Sequence, residues 1–470
     1  MTATKGWAAL PFELQLMVAS LLDRNDLKCL RSIHSRHGLA ATAVLFSTIH
    51  IRPDTRSFAR ALQIAQKDNL ASRVRRLVYH ATIVENHDEE MSNPLSDYGV
   101  ESIDEIDFVE DIPEWYREVI EAKIAYFENN QECYWEAIKA QGAFAELDEL
   151  EELSRLTSRL NNLESIATVR DVSGPIGLRA TDFIEGRSFA SLFEATASLS
   201  IKRLHGELVP WDFFADVNAL PDTTLRLSGL RELSLDLHQM GLENCSDQRG
   251  TLQAVRIFLS HCSNLEALSI DFDEFPYGSE SKFLECVSRA TLYKCRYPRL
   301  ARLTLQGLVT YEDKFIRFLK KHSSTLEGFM LADLMLVQSS NEDDPLSSDL
   351  ATSITGEKYS SSIGSVVSVF QRIYDVCSLK RVRLMRHFTN RFDEAWDFHE
   401  KVSEGFVPRI RRFLCRQGPS PFPPLAEYLQ MQKDSMKDRD SSVHNRDDPD
   451  PAAKQFCDDS CGWEPNLIRW

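Results

Sequence analysis

Leu230-Arg231-Glu232-Leu233-Ser234-Leu235 returns four more times along the chain in the same pattern of apolar and polar residues. The copies are Leu265-Glu266-Ala267-Leu268-Ser269-Ile270, Leu300-Ala301-Arg302-Leu303-Thr304-Leu305, Leu326-Glu327-Gly328-Phe329-Met330-Leu331 and Leu379-Lys380-Arg381-Val382-Arg383-Leu384. Each puts apolar residues at i, i+3 and i+5, and the last two alternate as in a half-buried strand. The copies start 35, 35, 26 and 53 residues apart. Looser versions stand at Leu163-Ile166 and Ile201-Leu204. Helical spacing fills the intervals: Leu252, Val255, Leu259 and Cys262; Phe283, Leu284 and Val287; Tyr311, Phe315, Phe318 and Leu319; Val366, Phe370, Ile373 and Cys377. One strand and one helix per repeat cannot bury an apolar face alone, so neighbouring repeats must stack. The fold class expected is α/β.

Residues 163–416 resemble an irregular leucine-rich repeat, which implies an α/β solenoid. The periods are long, and the position of the usual asparagine ladder holds His238, Asp273 and Leu308. A generic α/β layer fold is the alternative, but no Gly-rich phosphate turn follows any of the strands. In a solenoid the residues flanking the core positions of each strand face a partner. They begin with Glu232, Ser234 and Asp236 and end with Arg381, Arg383 and Met385, passing Arg302 between. From Arg372 to Arg416 there are eleven Lys/Arg against six Asp/Glu. Arg302, Arg381 and Arg383 are therefore the candidate contacts for an acidic or phosphorylated client protein. The other reading of this basic end is a solvated surface that pairs with the chain's own acidic stretch.

The first 50 residues read as short helices. Leu10-Pro11 opens one, with Leu14, Val18, Leu21 and Leu22 at helical spacing. Asp23-Arg24-Asn25-Asp26 interrupts it, and Asp26 is placed to cap a second helix carrying Leu27, Leu30 and Ile33. A third segment holds Leu39, Val44, Leu45 and Phe46. So small a set of helices buries little by itself and leans on a neighbour or a partner. Leu10-Pro11-x-Glu13-Leu14, then Val18, Leu22, Asp26-Leu27, Leu30-Arg31, Ile33 and Leu45-Phe46 resemble the F-box, at residues 1–50. Arg24 stands where that family often has proline, and His37 where it usually has an aromatic residue. The resemblance implies docking to the SKP-family adaptor of a cullin-RING ubiquitin ligase. Leu10, Pro11, Leu14, Val18, Leu22, Leu27 and Leu30 would then serve as module core and adaptor-facing surface, undivided between the two. The other reading makes these helices a cap on the repeat array.

Residues 51–84 form a first strand-helix unit, with Phe58, Leu62 and Ala65 spacing a helix and Val74, Leu77 and Tyr79 a strand. Glu85 to Glu114 carries twelve Asp/Glu and no Lys or Arg, the pattern of a solvated, flexible insertion. Residues 115–162 read as helical, first through Tyr116, Val119, Ile120, Ile124, Phe127, Tyr134 and Ile138, then as an acidic helix around Glu146–Leu160. Residues 338–364, with ten Ser/Thr, read as a disordered insertion open to phosphorylation. Residues 417–470 start on Gly418-Pro419-Ser420-Pro421-Phe422-Pro423-Pro424 and read as a Pro-rich, charged, loosely docked tail.

Lys and Arg number 54 against 71 Asp and Glu in 470 residues, a net charge of −17 that disfavours nucleic acid and anionic membranes as partners. Neither a spanning apolar run nor a signal-peptide stretch is present, so an intracellular protein, cytoplasmic or nuclear, is expected. Ten scattered cysteines fit a reducing compartment. Cys29, Cys133, Cys262, Cys286 and Cys377 fall in helical patterns where a thiol acts as a small buried hydrophobe. Cys457 and Cys461 lack a second ligand pair, and His34 and His37 lack partners at metal spacing. No phosphate loop, metalloprotease or nucleophile-elbow motif is present. We therefore expect no cofactor, no metal and no catalysis. The architecture resembles F-box proteins with irregular leucine-rich repeats of the filamentous-fungal type, and implies a substrate-recognition subunit of an SCF-type ubiquitin ligase. A repeat scaffold without that role is the alternative, and an enzyme with an unrecognised cleft is a third.

Overall fold

The computed structural model describes residues 10–33, 38–80, 136, 139–169, 187–209, 213–220, 222–237, 248–272, 292–336, 365–389, 395–398 and 406–424. The acidic stretch 85–114, the helical pattern at Tyr116–Ile138, the helix expected around Phe283–Val287 and the insertion 338–364 lie outside them. So do His34, His37, His238, Asp273, Cys133, Cys286, Cys457 and Cys461. The chain divides into two compact units, Met1–Glu207 and Leu208–Trp470.

In the first unit, α1 (Phe12–Ala19), α2 (Arg24–Ile33) and α3 (Gly38–Leu45) pack around Ala19, Leu27, Ala40 and Ala41, with Leu16, Leu22, Leu30, Val44 and Leu45 against that core. The cap of α2 is Asp23 rather than Asp26. The Asp23 carboxylate accepts from the N–H groups of Asn25 and Asp26, each at 2.8 Å, because only a residue ahead of the first turn reaches those donors. Cys29 is exposed on α2, not buried, since that helix turns Leu27 to the core instead. At Gly38 α3 approaches α2 so closely that a Cβ would stand 2.8 Å from the Arg31 carbonyl oxygen.

Strands and helices then alternate: β1 (Thr48–Ile51), α4 (Thr55–Ala65), α5 (Asp68–Ala71), β2 (Arg76–His80), α6 (Glu149–Thr157), β3 (Ser165–Val169), α7 (Arg187–Ala195) and β4 (Arg203–Val209). Asp54 and Asp148 cap α4 and α6. The strands are parallel, with Ile49↔Leu77↔Ile166↔Leu204 in register on the buried side. Phe58 of α4 packs edge-on to Tyr79 at 6.3 Å and stacks on Phe144 at 4.7 Å, so the helices lie on the side of the sheet that carries those apolar residues.

The second unit continues with α8 (Phe213–Ala219), α9 (Thr223–Ser228), β5 (Glu232–Leu237), α10 (Gln248–His261), β6 (Ala267–Asp271), a 3-10 turn (Leu292–Lys294), β7 (Arg302–Thr310), α11 (Glu312–His322), β8 (Gly328–Leu336), α12 (Val366–Val376), β9 (Arg381–Thr389), β10 (Ala395–Phe398) and α13 (Phe406–Leu414). β5 to β9 are parallel, and β10 runs antiparallel to β9. The recurring positions superpose rung on rung: Leu233↔Leu268↔Leu303↔Phe329↔Val382 and Leu235↔Ile270↔Leu305↔Leu331↔Leu384. The i residues Leu230, Leu265, Leu300, Leu326 and Leu379 are all buried. The residue after each helps start the next pairing, as its carbonyl accepts two N–H groups from the following repeat. Arg231 takes Glu266 and Ala267, Glu266 takes Ala301 and Arg302, Ala301 takes Glu327 and Gly328, and Glu327 takes Lys380 and Arg381.

The alternation has one break. Gly307, Asp333 and Arg386 adopt positive φ of 65°, 51° and 62° at one level of β7, β8 and β9. Gly307 and Asp333 each move the next core position by one, to Leu308 and Leu334, while β9 sets both Arg386 and His387 against Asp333, so that its next core position is Phe388. Asp333 holds the bulge from inside, accepting from Arg386 Nη1 and from the His387 N–H, both at 3.1 Å. The end of the unit is aromatic: Phe388 meets Phe398 at 4.5 Å, Tyr374 stacks on Phe413 at 4.4 Å, and Phe422 stacks on Phe370 at 5.9 Å. The Pro-rich opening of the tail is thus docked through Phe422, which is buried.

Candidate interaction surfaces

α1 has Glu13 and Gln15 as its only polar residues and turns mostly apolar side chains outward, whereas a helix on a protein surface keeps a polar face outward. Its inner side is short. Gln15 and Ala19 are buried, and Gln15 is held by its side-chain amide donating to the Leu10 carbonyl at 2.9 Å. Leu14, Met17, Val18 and Leu21, at i, i+3, i+4 and i+7, form the other side and are 40%, 57%, 38% and 82% exposed. Leu10, Phe12 and, on α3, Leu39 are exposed as well. Helical spacing and burial therefore divide the expected docking set. Leu10, Pro11, Leu14 and Val18 are exposed, Leu27 is in the core, and Leu22 and Leu30 are half-buried against it. Met17, Leu21 and Leu39 belong to the exposed patch as well; Leu21 and Leu39 read from the sequence as apolar helical positions without a docking role, and Met17 had no assignment. The i, i+3, i+4, i+7 spacing from Leu14 was the available signal for Met17 on α1 and for Leu21 just beyond its end.

The strand faces turned away from the helices form a second surface. In the second unit Glu232, Ala267, Arg302, Gly328 and Arg381 make one row across β5 to β9, and Ser234, Ser269, Thr304, Met330 and Arg383 the next. Arg302 is already engaged, donating to Glu232 at 2.8 Å across the intervening Ala267. Arg381 is exposed and Arg383 half-buried. Other cations of the basic end serve the fold. Arg372 pairs with Glu312 and Asp313, Lys380 with Glu327, and Arg386 with Asp333. Arg411 donates to the Leu384 carbonyl, and Arg416 to those of Tyr374 and Cys377.

The corresponding row of the first unit is Thr48, Arg76, Ser165 and Arg203 across β1 to β4. Arg76 and Arg203 are exposed, with Ser165 buried between them. Burial, and after it the like charge of Arg203, lower the pKa of Arg76. Above this row, His50 Nδ1 and His80 Nε2 share a proton at 2.9 Å. Burial, then His80, Arg76, Arg24 and Arg52, keep the His50 pKa below its ordinary value.

Among the described residues no group of three or more His, Cys, Asp or Glu is placed to hold a metal ion. No described helix is long and apolar enough to cross a membrane. Cys262 is buried with its thiol pushed above the ordinary range by desolvation, and Cys377 is pushed up to about 11 by the same cause. Both are held as protonated, unreactive thiols.

The fold and these surfaces define an α/β protein of parallel strand–helix repeats preceded by three short helices. No protein-family model matches the chain, and no curated protein matches it.

Proposed function

We propose that the helices within residues 1–50 are an F-box and that the chain is a non-catalytic, substrate-recognition subunit of an SCF-type ubiquitin ligase. The observation that carries this reading is the exposed apolar stripe of Leu14, Met17, Val18 and Leu21 along α1 and the turn that follows it. Exposed apolar residues clustered in this way mark a protein-binding surface. The partner on this reading is the SKP-family adaptor, which joins the subunit to the cullin-RING machinery in the cytoplasm or nucleus. The stacked repeats, read as an irregular leucine-rich-repeat solenoid, hold the client on the strand faces turned away from the helices. Such a subunit supplies proximity and effective concentration rather than chemistry.

The test is co-purification of the whole chain with the SKP-family adaptor, comparing wild type with Leu10→Asp plus Leu14→Asp. Loss of the adaptor with an unchanged circular-dichroism spectrum is the expected result. A folded wild-type chain that does not bind the adaptor removes the ligase role and leaves a repeat scaffold.

A further inference from the structure

The geometry points to an oxyanion site on the first unit, in which Arg76 and Arg203 clasp one phosphate group over Ser165. The second unit shows what such a row does when charges are complementary. Glu232 and Arg302 stand two strands apart with Ala267 between, and their side chains meet at 2.8 Å. Arg76 and Arg203 stand two strands apart in the same row position with Ser165 between. Two strand spacings separate their backbones by roughly 10 Å in each case. The first unit thus repeats the geometry of an ion pair with two cations.

Among the described residues no carboxylate is paired with either: Glu164, next to Ser165, feels the charge of Arg203 but is bonded to Lys202 at 3.1 Å. Neither arginine has an ion pair or hydrogen bond among the described residues, in a protein where Asp and Glu outnumber Lys and Arg by 71 to 54. Charges just ahead of the strands find their counter-charges, as in Arg231–Glu266 and Lys380–Glu327 of the second unit and Lys202–Glu164 beside this row. A guanidinium pair held in like-charge proximity is relieved by a dianion with oxygens for both, and arginine forks match phosphate geometry. The net charge of −17 opposes a long polyanion, so the fitting ligand is a single phosphate on a polypeptide rather than a nucleic acid. This site does not depend on how the three N-terminal helices are read.

The experiment is a calorimetric titration of the full chain at low ionic strength. The probes are a neutral Gly-Ser peptide carrying one phosphoserine, its unphosphorylated form, inorganic phosphate, and a single-stranded oligonucleotide. The phosphopeptide is expected to bind and the unphosphorylated one not. Arg76→Gln and Arg203→Gln should each weaken binding at least tenfold, while Arg317→Gln, an exposed arginine on α11 of the second unit, leaves it unchanged. Inorganic phosphate should raise the thermal midpoint of wild type and not of Arg76→Gln, which keeps the proposal open to refutation without a measurable peptide affinity. Tighter binding of the peptide than of inorganic phosphate assigns the site to a phosphorylated partner, and equal binding to the free ion. Equal affinity for both peptides, preference for the oligonucleotide, or binding indifferent to both substitutions overturns it.

Discussion

His322 shows how one side chain couples the fold to pH. Its Nε2 accepts from the Tyr297 N–H at 3.0 Å, while Nδ1 donates to the Phe318 carbonyl at 2.9 Å, so the ring is held in one neutral tautomer. Burial, with the charges of Lys321 and Arg296, lowers its pKa from 6.5. The unfolded chain takes up a proton near pH 6.5 that the folded chain refuses. The stabilisation is therefore complete above that pH and declines as the pH falls below it. Thermal unfolding from pH 8 to pH 5 should show this loss, and His322→Gln should flatten the slope by up to one proton. At Gly38 the determinant is space. Gly38→Ala sets a methyl 2.8 Å from the Arg31 carbonyl oxygen and should cost about 1–3 kcal/mol in urea unfolding.

Among the elements, the three short helices have an exposed side and a core side that respond differently to substitution. Leu21→Glu and Met17→Glu alter exposed positions and should leave stability within about 0.5 kcal/mol. Leu27→Ala opens the small core shared by the three helices and should cost about 2–5 kcal/mol. Denaturant unfolding of the three variants checks the contrast. Equal losses would show that the exposed stripe is structural, whatever it also binds. The bulged strands obey another rule. Asp333 is buried and accepts both the Arg386 guanidinium and the His387 N–H, so its carboxylate closes the irregularity of two strands at once.

Across the molecule, each unit gains stability from contacts between successive repeats. In the second unit Leu303 pairs with Leu268 on one side and Phe329 on the other. Leu303→Ala should cost about 2–5 kcal/mol, and hydrogen exchange should show protection lost first in β6, β7 and β8, ahead of β9. Uniform loss across β5 to β9 would mean that the unit opens as a single block. The aromatic contacts of Phe370, Phe388, Phe398 and Phe422 close the end of this stack with side chains in place of another repeat.

The sequence by itself determined the recurring strands, several helices between them and their core positions, because the strand period of two and the helical period of 3.6 are local properties of the chain. Leu230 through Leu384 read in advance as the buried rungs, and Leu14 and Val18 as part of an apolar helix. Tertiary structure alone decided which neighbours those residues met. It made Asp23 rather than Asp26 the cap, aligned Gly307, Asp333 and Arg386 into one bulge, and docked Phe422 against Phe370. It also separated two arginine fates that a sequence renders alike. Arg302 lies two strands from a glutamate and is neutralised, while Arg76 lies two strands from another arginine. Charge pairing across a sheet depends on register between distant segments, and that register exists only once the strands have stacked.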